Sequence, residues 1–319
     1  MNCKLPFYFI WNSLIERNEK RHAPLRDLLE LASKVNELKS SLCRSDHMGE
    51  ANYPKILQCS VHNWNARFQR TPNCCKWSLT IMQGNFNISK IDIWQQALEN
   101  PDLVGGDMLI PQGVSLGNAI ANEDFRWPGY PGGATIPYVI DKSLSSVKPL
   151  IEKAMKHYHD NTCVRFEPRK NEKIYVKIFK GRGCYAAVGR NKTYSQPQPL
   201  SLGTGCDKIG TIIHELGHVL GFYHEQNRSD RDKYLNVYLN NVRAGMRGNF
   251  IKLKPDENIL INTFDYDSIM IYGNYAFSKR PGVLKTMEAK NGQELLNPYS
   301  KTKMTDSDIE RVNKMYKCP

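Results

Sequence analysis

The stretch His214-Glu215-Leu216-Gly217-His218-Val219-Leu220-Gly221-Phe222-Tyr223-His224 constrains this chain more than any other. His214 and His218 are four residues apart, so on an α-helix they stand one turn above each other and both rings reach one ion. Glu215 points about 100° round the helix from the first histidine, beside such an ion and not at it. That is the place of a general base for a metal-bound water. Gly221 comes three residues after the second histidine, where glycine takes the left-handed conformation that ends a helix and turns the chain back. The turn lets His224 reach the same ion. Three protein ligands with an open fourth position mark catalytic zinc, as against a closed structural site. Zinc lowers the pKa of its water to about 7, and Glu215 then takes the proton as the water attacks a carbonyl. Two histidines four apart are by themselves more often core or surface residues; Glu215, Gly221 and His224 turn the reading towards a zinc peptidase with one Zn2+ per chain.

After His224 the chain continues Glu225-Gln226-Asn227-Arg228-Ser229-Asp230-Arg231-Asp232, and further on stands Ser268-Ile269-Met270-Ile271-Tyr272-Gly273. Trp127-Pro128 and Ile136-Pro137-Tyr138-Val139-Ile140 precede the histidines. The cysteine-bearing segments are Thr162-Cys163-Val164-Arg165-Phe166, Gly203-Thr204-Gly205-Cys206 and Tyr316-Lys317-Cys318. Together these segments resemble the astacin family of metzincin zinc endopeptidases over residues 118–319. The resemblance implies an α+β fold of two subdomains, an upper one of sheet and zinc helix over a less regular lower one, with the cleft between. It implies His214, His218 and His224 as zinc ligands and Glu215 as base and acid. Met270 becomes the methionine of the Met-turn under the metal, and Tyr272 an additional ligand that swings out to stabilise the oxyanion. The family commonly has histidine where this chain has Ile271, from which altered packing or substrate contacts are expected and not lost chemistry.

The chain has 319 residues, of which 40% are hydrophobic, enough for one full domain and an extra segment. No apolar run approaches the length of a membrane span. The net charge of +12 is read as a solvated basic surface, since nothing gathers it into a nucleic-acid motif. Four of the nine cysteines lie in the part resembling the family. The resemblance pairs Cys163 with Cys318 and Cys184 with Cys206, bridges worth about 3 to 5 kcal/mol each in the chain-entropy model. Paired cysteines imply an oxidising compartment, hence a secreted protein, and sequons at Asn87, Asn191 and Asn227 are compatible with a glycoprotein. The amino terminus fits less well: the apolar run Leu5 to Trp11 is short and lacks a small-residue cleavage site.

Residues 1–117 read as a leader and an inhibitory prosegment, and 118–319 as the catalytic domain. Leu25, Leu28, Leu29, Ala32, Val35, Leu38 and Leu42 predict an amphipathic helix, whereas 44–90 shows no sustained periodicity. Val104-Gly105-Gly106-Asp107 resembles the family's inhibitory element, in which the aspartate binds zinc in place of water; Val104 stands where phenylalanine is usual. The mature chain is expected to begin at Asn118-Ala119-Ile120, its new amine buried near Glu225. No Lys or Arg occurs from Ile91 to Gly117, so the activating protease is expected not to be trypsin-like. Further expectations are a helix carrying Val147, Leu150, Ile151, Ala154, Met155 and Tyr158, with His157 and His159 on its surface; a strand over 174–179; the zinc helix from Ile209 to Leu220; and a last helix capped by Thr305. Lys301 is a candidate basic residue for the pocket just after the scissile bond.

These readings predict a secreted zinc endopeptidase made as a latent precursor, acting on protein or peptide substrates as a monomer, with no nucleic acid and no membrane span. The rival is a zinc-binding protein that acts as a partner or decoy. Replacement of Glu215 separates the two: an enzyme loses its rate and a binding protein keeps its partner.

Overall fold

A computed structural model of the chain describes residues 92–110, 122–192, 197–255 and 259–319, together with the backbone of three strands between 56 and 82. The predicted helix over 25–42, the leader and the expected start at Asn118 lie outside the described residues. Residues Met1–Asn87 and Ile88–Pro319 form two units. In the first, β1 (Ile56–Val61) pairs antiparallel with β2 (Trp64–Arg70), and β2 with β3 (Trp77–Met82). The reading of 44–90 as lacking sustained periodicity is corrected by these strands. Leu57-Gln58-Cys59-Ser60-Val61, Trp64-Asn65-Ala66-Arg67-Phe68-Gln69 and Trp77-Ser78-Leu79-Thr80-Ile81 each alternate apolar with polar residues, a period of two too short to stand out over the whole stretch.

The second unit is built on a six-stranded sheet in the order β4-β8-β9-β7-β5-β6. Its strands are β4 (Met108–Leu109), β5 (Ala134–Ile140), β6 (Val164–Pro168), β7 (Val176–Phe179), β8 (Cys184–Ala187) and β9 (Gln198–Leu202). All neighbours run parallel except β8 and β9. In β7, Val176 and Ile178 are buried while Lys177 between them is exposed, the period of two that a half-buried strand requires. The short α1 (Ile93–Leu98) precedes β4.

Two longer helices complete the upper part. In α2 (Lys148–Asn161) the predicted stripe is seen: Ile151, Ala154, Met155 and Tyr158 are buried, and Pro149 sits in the first turn where no amide bond is lost. Helix α3 runs over Ile209–Leu220 as expected and is buried on every side after its first residue, so it is a core helix. The Tyr158 hydroxyl joins α2 to α3 by donating to Ile213 O at 2.8 Å. His157 and His159 are not free surface residues. Each is half-buried and its Nε2 accepts a backbone amide, from Met304 at 2.9 Å and Phe166 at 2.8 Å.

Beyond His224 the chain is less regular, as the resemblance implied. It makes 3-10 turns, an antiparallel pair β10 (Leu235–Val237) and β11 (Met287–Ala289), and a last helix α4 (Asp306–Tyr316). Thr305 and Asp308 form a reciprocal capping box at its start. Disulfides join Cys163 to Cys318 and Cys184 to Cys206. The first ties the end of the chain to β6, and the second ties β8 to the loop that enters α3. Among the described residues no helix is long and apolar enough to cross a membrane.

Candidate metal centre

Helix α3 presents His214 and His218 from its last two turns, and Gly221 then closes it with φ 108°, a conformation an L side chain resists. The reversal brings His224 round to face the other two. All three rings are fully buried. His214 Nδ1 lies 2.8 Å from Ile269 O and His218 Nδ1 lies 2.7 Å from Phe222 O. A carbonyl only accepts, so both Nδ1 atoms carry the proton and both Nε2 atoms carry a lone pair. Those two Nε2 atoms are 3.0 Å apart, and His224 Nε2 is 3.3 Å from that of His214. Lone pairs set this closely in a dry site repel unless a cation lies among them, and neutral imidazoles suit zinc. Burial and the neighbouring His218 push the His214 imidazole down to about 4, which keeps it neutral.

The fourth group is Asp107. Its carboxylate lies 3.0 Å from His214 Nε2, 3.0 Å from His224 Nε2 and 3.4 Å from His218 Nε2. These four residues are the one buried cluster of metal-binding type among the described residues, with all candidate ligand atoms within 4.8 Å of one another. Two glycines make the approach possible. A Cβ on Gly105 would come within 2.7 Å of the His224 ring, and one on Gly106, at φ 93°, would run into Leu98 O and the Phe277 ring. Tyr272 hydroxyl also meets the Asp107 carboxylate, and it lies 3.0 Å from Leu98 O.

Glu215 is fully buried beside this cluster and neither of its oxygens has a hydrogen-bond partner. Burial, and then the charge of Asp107, raise its carboxyl well above the usual range. A carboxylate so placed is poised to take up a proton. Asp107 Oδ1 and His224 Nδ1 are likewise buried without partners. Such a set of orphaned polar atoms around three converging lone pairs fits a zinc ion.

The turn 268–272 is gripped from both ends of its peptide dipoles. Asp308 accepts from Ser268 Oγ at 2.6 Å and Ile269 N at 2.8 Å. Met270 packs on α3 so closely that a Cβ on Gly217 would meet its Sδ at 2.7 Å. Ile271 is wholly buried. Lys301 does not serve a substrate pocket in this arrangement. Its Nζ turns inward and donates to Ser268 O at 2.6 Å, a use of the charge that sequence position does not reveal.

Glu225 is no solvated carboxylate either. Arg311 holds it with two bonds at 2.7 and 2.8 Å, Arg228 donates at 3.1 Å and Asp265 N at 2.9 Å. Sequence reasoning passed over Arg311 and Asp308. A helix whose buried face carries two charged residues, Asp308 and Arg311, among Val312 and Met315 was the available signal. The sequon at Asn227 is closed: its amide nitrogen, which a glycan would need, donates to Ile251 O at 2.7 Å and Asn249 O at 3.1 Å. Asn191 is also buried, and Asn87 lies outside the described residues.

The family model for astacin, a family of peptidases, matches residues 120–317. The chain is 44% identical over 220 residues to Astacin-like metalloprotease toxin 1 of Loxosceles intermedia, a match spanning 68% of this chain and 81% of that one. It is 34% identical over 219 residues to Meprin A subunit beta of Homo sapiens, spanning 68% of this chain and 30% of that one. Among solved structures it is similar to High choriolytic enzyme 1, a hatching enzyme zinc-protease from Oryzias latipes, with TM-score 0.57 and 35% identity over 63% of this chain and 100% of the other.

Proposed function

This chain belongs to the astacin family and is a zinc metalloendopeptidase, and we propose that it is made as a secreted, latent precursor cleaved to leave residues 118–319 as the working enzyme. The observation that carries this reading is the meeting of Asp107, from an N-terminal segment, with His214, His218 and His224 in one buried cluster. His214, His218 and His224 would hold the zinc, and Asp107 would be the fourth group at the metal in the precursor. When bound, zinc supplies a Lewis acid for the scissile carbonyl and acidifies water.

The remaining work falls to side chains of this chain. Glu215 removes a proton from the attacking water and passes it to the leaving nitrogen; its raised affinity for protons suits the second step as well as the first. Once Asp107 departs, the Tyr272 hydroxyl loses its acceptor and is free to donate to the oxyanion, a contribution typically of a few kcal/mol. Met270 backs α3 from below. The substrates are proteins or peptides.

Activation requires a cut that a trypsin-like protease does not make, because Ile91 to Gly117 offers no Lys or Arg. The new amine then joins Glu225, whose carboxylate already binds Arg311 and Arg228, and so couples processing to order beside His224. Two disulfides are consistent with export to an oxidising compartment.

The test is casein hydrolysis by the processed chain. Glu215→Ala lowers the rate about 10^2-fold or more, and a zinc chelator abolishes it. A processed, zinc-loaded chain with no activity on casein or on a broad peptide library would overturn the mechanism, and trypsin yielding a chain that starts at Asn118 would overturn the activation scheme.

A further inference from the structure

Away from the histidines, a second carboxylate of the N-terminal segment is buried on the far side of the residues that follow Tyr272. Glu99 ends α1, and its side chain is only 3% exposed. One oxygen accepts the Phe277 amide at 2.7 Å and the Gln95 amide at 2.8 Å. The other pairs with the Arg243 guanidinium. Gln95 also donates to Tyr275 O at 2.9 Å, so one turn of α1 grips the loop 275–277 twice.

The receiving wall is built without Glu99. Arg243 N donates to Phe277 O at 2.9 Å, and Val242 and Ser278 form a bridge beside it, which holds the guanidinium and the Phe277 amide side by side. Phe277 stands at φ 56°, a left-handed conformation costly for an aromatic residue, at the point where its amide meets the Glu99 carboxylate. A backbone N–H beside a guanidinium makes a receptor for a carboxylate. Burying it under an uncharged residue would leave the donors unsatisfied.

We propose that Arg243 and the Phe277 amide form a carboxylate-binding notch separate from the metal centre, and that Glu99 fills it as a second lock on the prosegment, independent of metal. The proposal rests on the reading of residues 92–110 as a prosegment that leaves. Asp107 then guards the metal while Glu99 and Gln95 hold the segment down. Loss of metal alone does not free it, and cleavage after residue 110 leaves a segment that still has to escape the notch.

Hydrogen exchange in the full chain tests this, read at the Phe277 amide and across residues 92–110. With Glu99→Ala, exchange at Phe277 rises at least about tenfold while α3 stays protected. Arg243→Ala, made in the receiving wall, loosens residues 92–110, and the double variant is no looser than Glu99→Ala alone because both act through one contact. Chelator treatment of the unaltered chain opens the metal centre and leaves Phe277 protected. Unchanged exchange in Glu99→Ala, additive effects in the double variant, or loss of Phe277 protection together with the metal would each overturn the lock. Peptide hydrolysis by the unaltered full chain is measured in parallel. Full activity there removes the latency reading and leaves the notch to be judged by exchange, whereas a latent chain with Phe277 indifferent to Glu99 removes the notch alone.

Discussion

Arg311 and Glu225 meet through both nitrogens of one and both oxygens of the other, at 2.7 and 2.8 Å, in a setting where each is nearly inaccessible to solvent. The pair fastens α4 to the residue that follows His224. Burial raises the Glu225 carboxyl, and Arg311 and Arg228 oppose that shift. Removing one partner of a buried pair strands the other charge, at a cost of about 3 to 5 kcal/mol. Arg311→Leu therefore lowers stability by that order in urea unfolding. Joined with Glu225→Leu it costs less than the sum of the two; strict additivity would show that the residues do not act as a pair.

Gly106 offers a way to test the proposed latch without touching a charge. Its φ of 93° and the closeness of Leu98 O leave no place for a Cβ. Gly106→Ala must displace the segment that carries Asp107, and a strain above about 1.4 kcal/mol shifts the closed fraction about tenfold. The full chain with Gly106→Ala is expected to cleave a peptide about ten times faster than the unaltered chain, as is Asp107→Asn. A Gly106→Ala chain as silent as the parent would show that Asp107 does not depend on this turn.

Much of the centre was legible because it is local. His214, Glu215, His218 and Gly221 are fixed by one helix and its end, so their spacing carries their geometry. The sheet-and-helix plan followed from periodicity in β7, α2 and α4, where one face is buried. Contacts between distant segments were not legible in the same way. Glu99 meets Arg243 and Phe277 across 144 and 178 residues, and nothing in its neighbourhood marks it as buried. Lys301 was placed by its charge, but direction of a side chain is set by what it can reach, and here two backbone carbonyls lie inward. Asn227 carries a sequon whose triplet says nothing about whether the amide is free.

The proposed function gives Tyr272 two roles that one substitution separates. Its hydroxyl binds Asp107 and Leu98 O in the structure, and in the proposed processed enzyme it donates to the oxyanion. Tyr272→Phe keeps the ring that packs 4.5 Å from His224 and 5.8 Å from Phe277. Loss of one such donor costs about 10^2-fold in kcat. The expected result for the processed chain is a fall in kcat of that order with KM little changed. A change in KM alone would assign the hydroxyl to substrate binding in place of oxyanion stabilisation.

Lys301 gives the fold a measurable pH dependence. Burial pushes its ammonium down to about 8, while Asp308, Asp265, Asp267 and Glu225 pull the other way. The unfolded chain holds this proton up to about 10.4. Between these values the unfolded state binds more protons than the folded state, so the contribution of Lys301 to stability rises with pH. Below about 8 both states are protonated and the full cost of burying the charge is present. Lys301→Met has no such titration. The stability of the unaltered chain relative to Lys301→Met should therefore climb from pH 8 to pH 10, by on the order of 1 kcal/mol per unit. Parallel urea titrations of the two chains across that range measure the slope, and a flat difference would mean that Nζ keeps an ordinary proton affinity despite its place against Ser268 O.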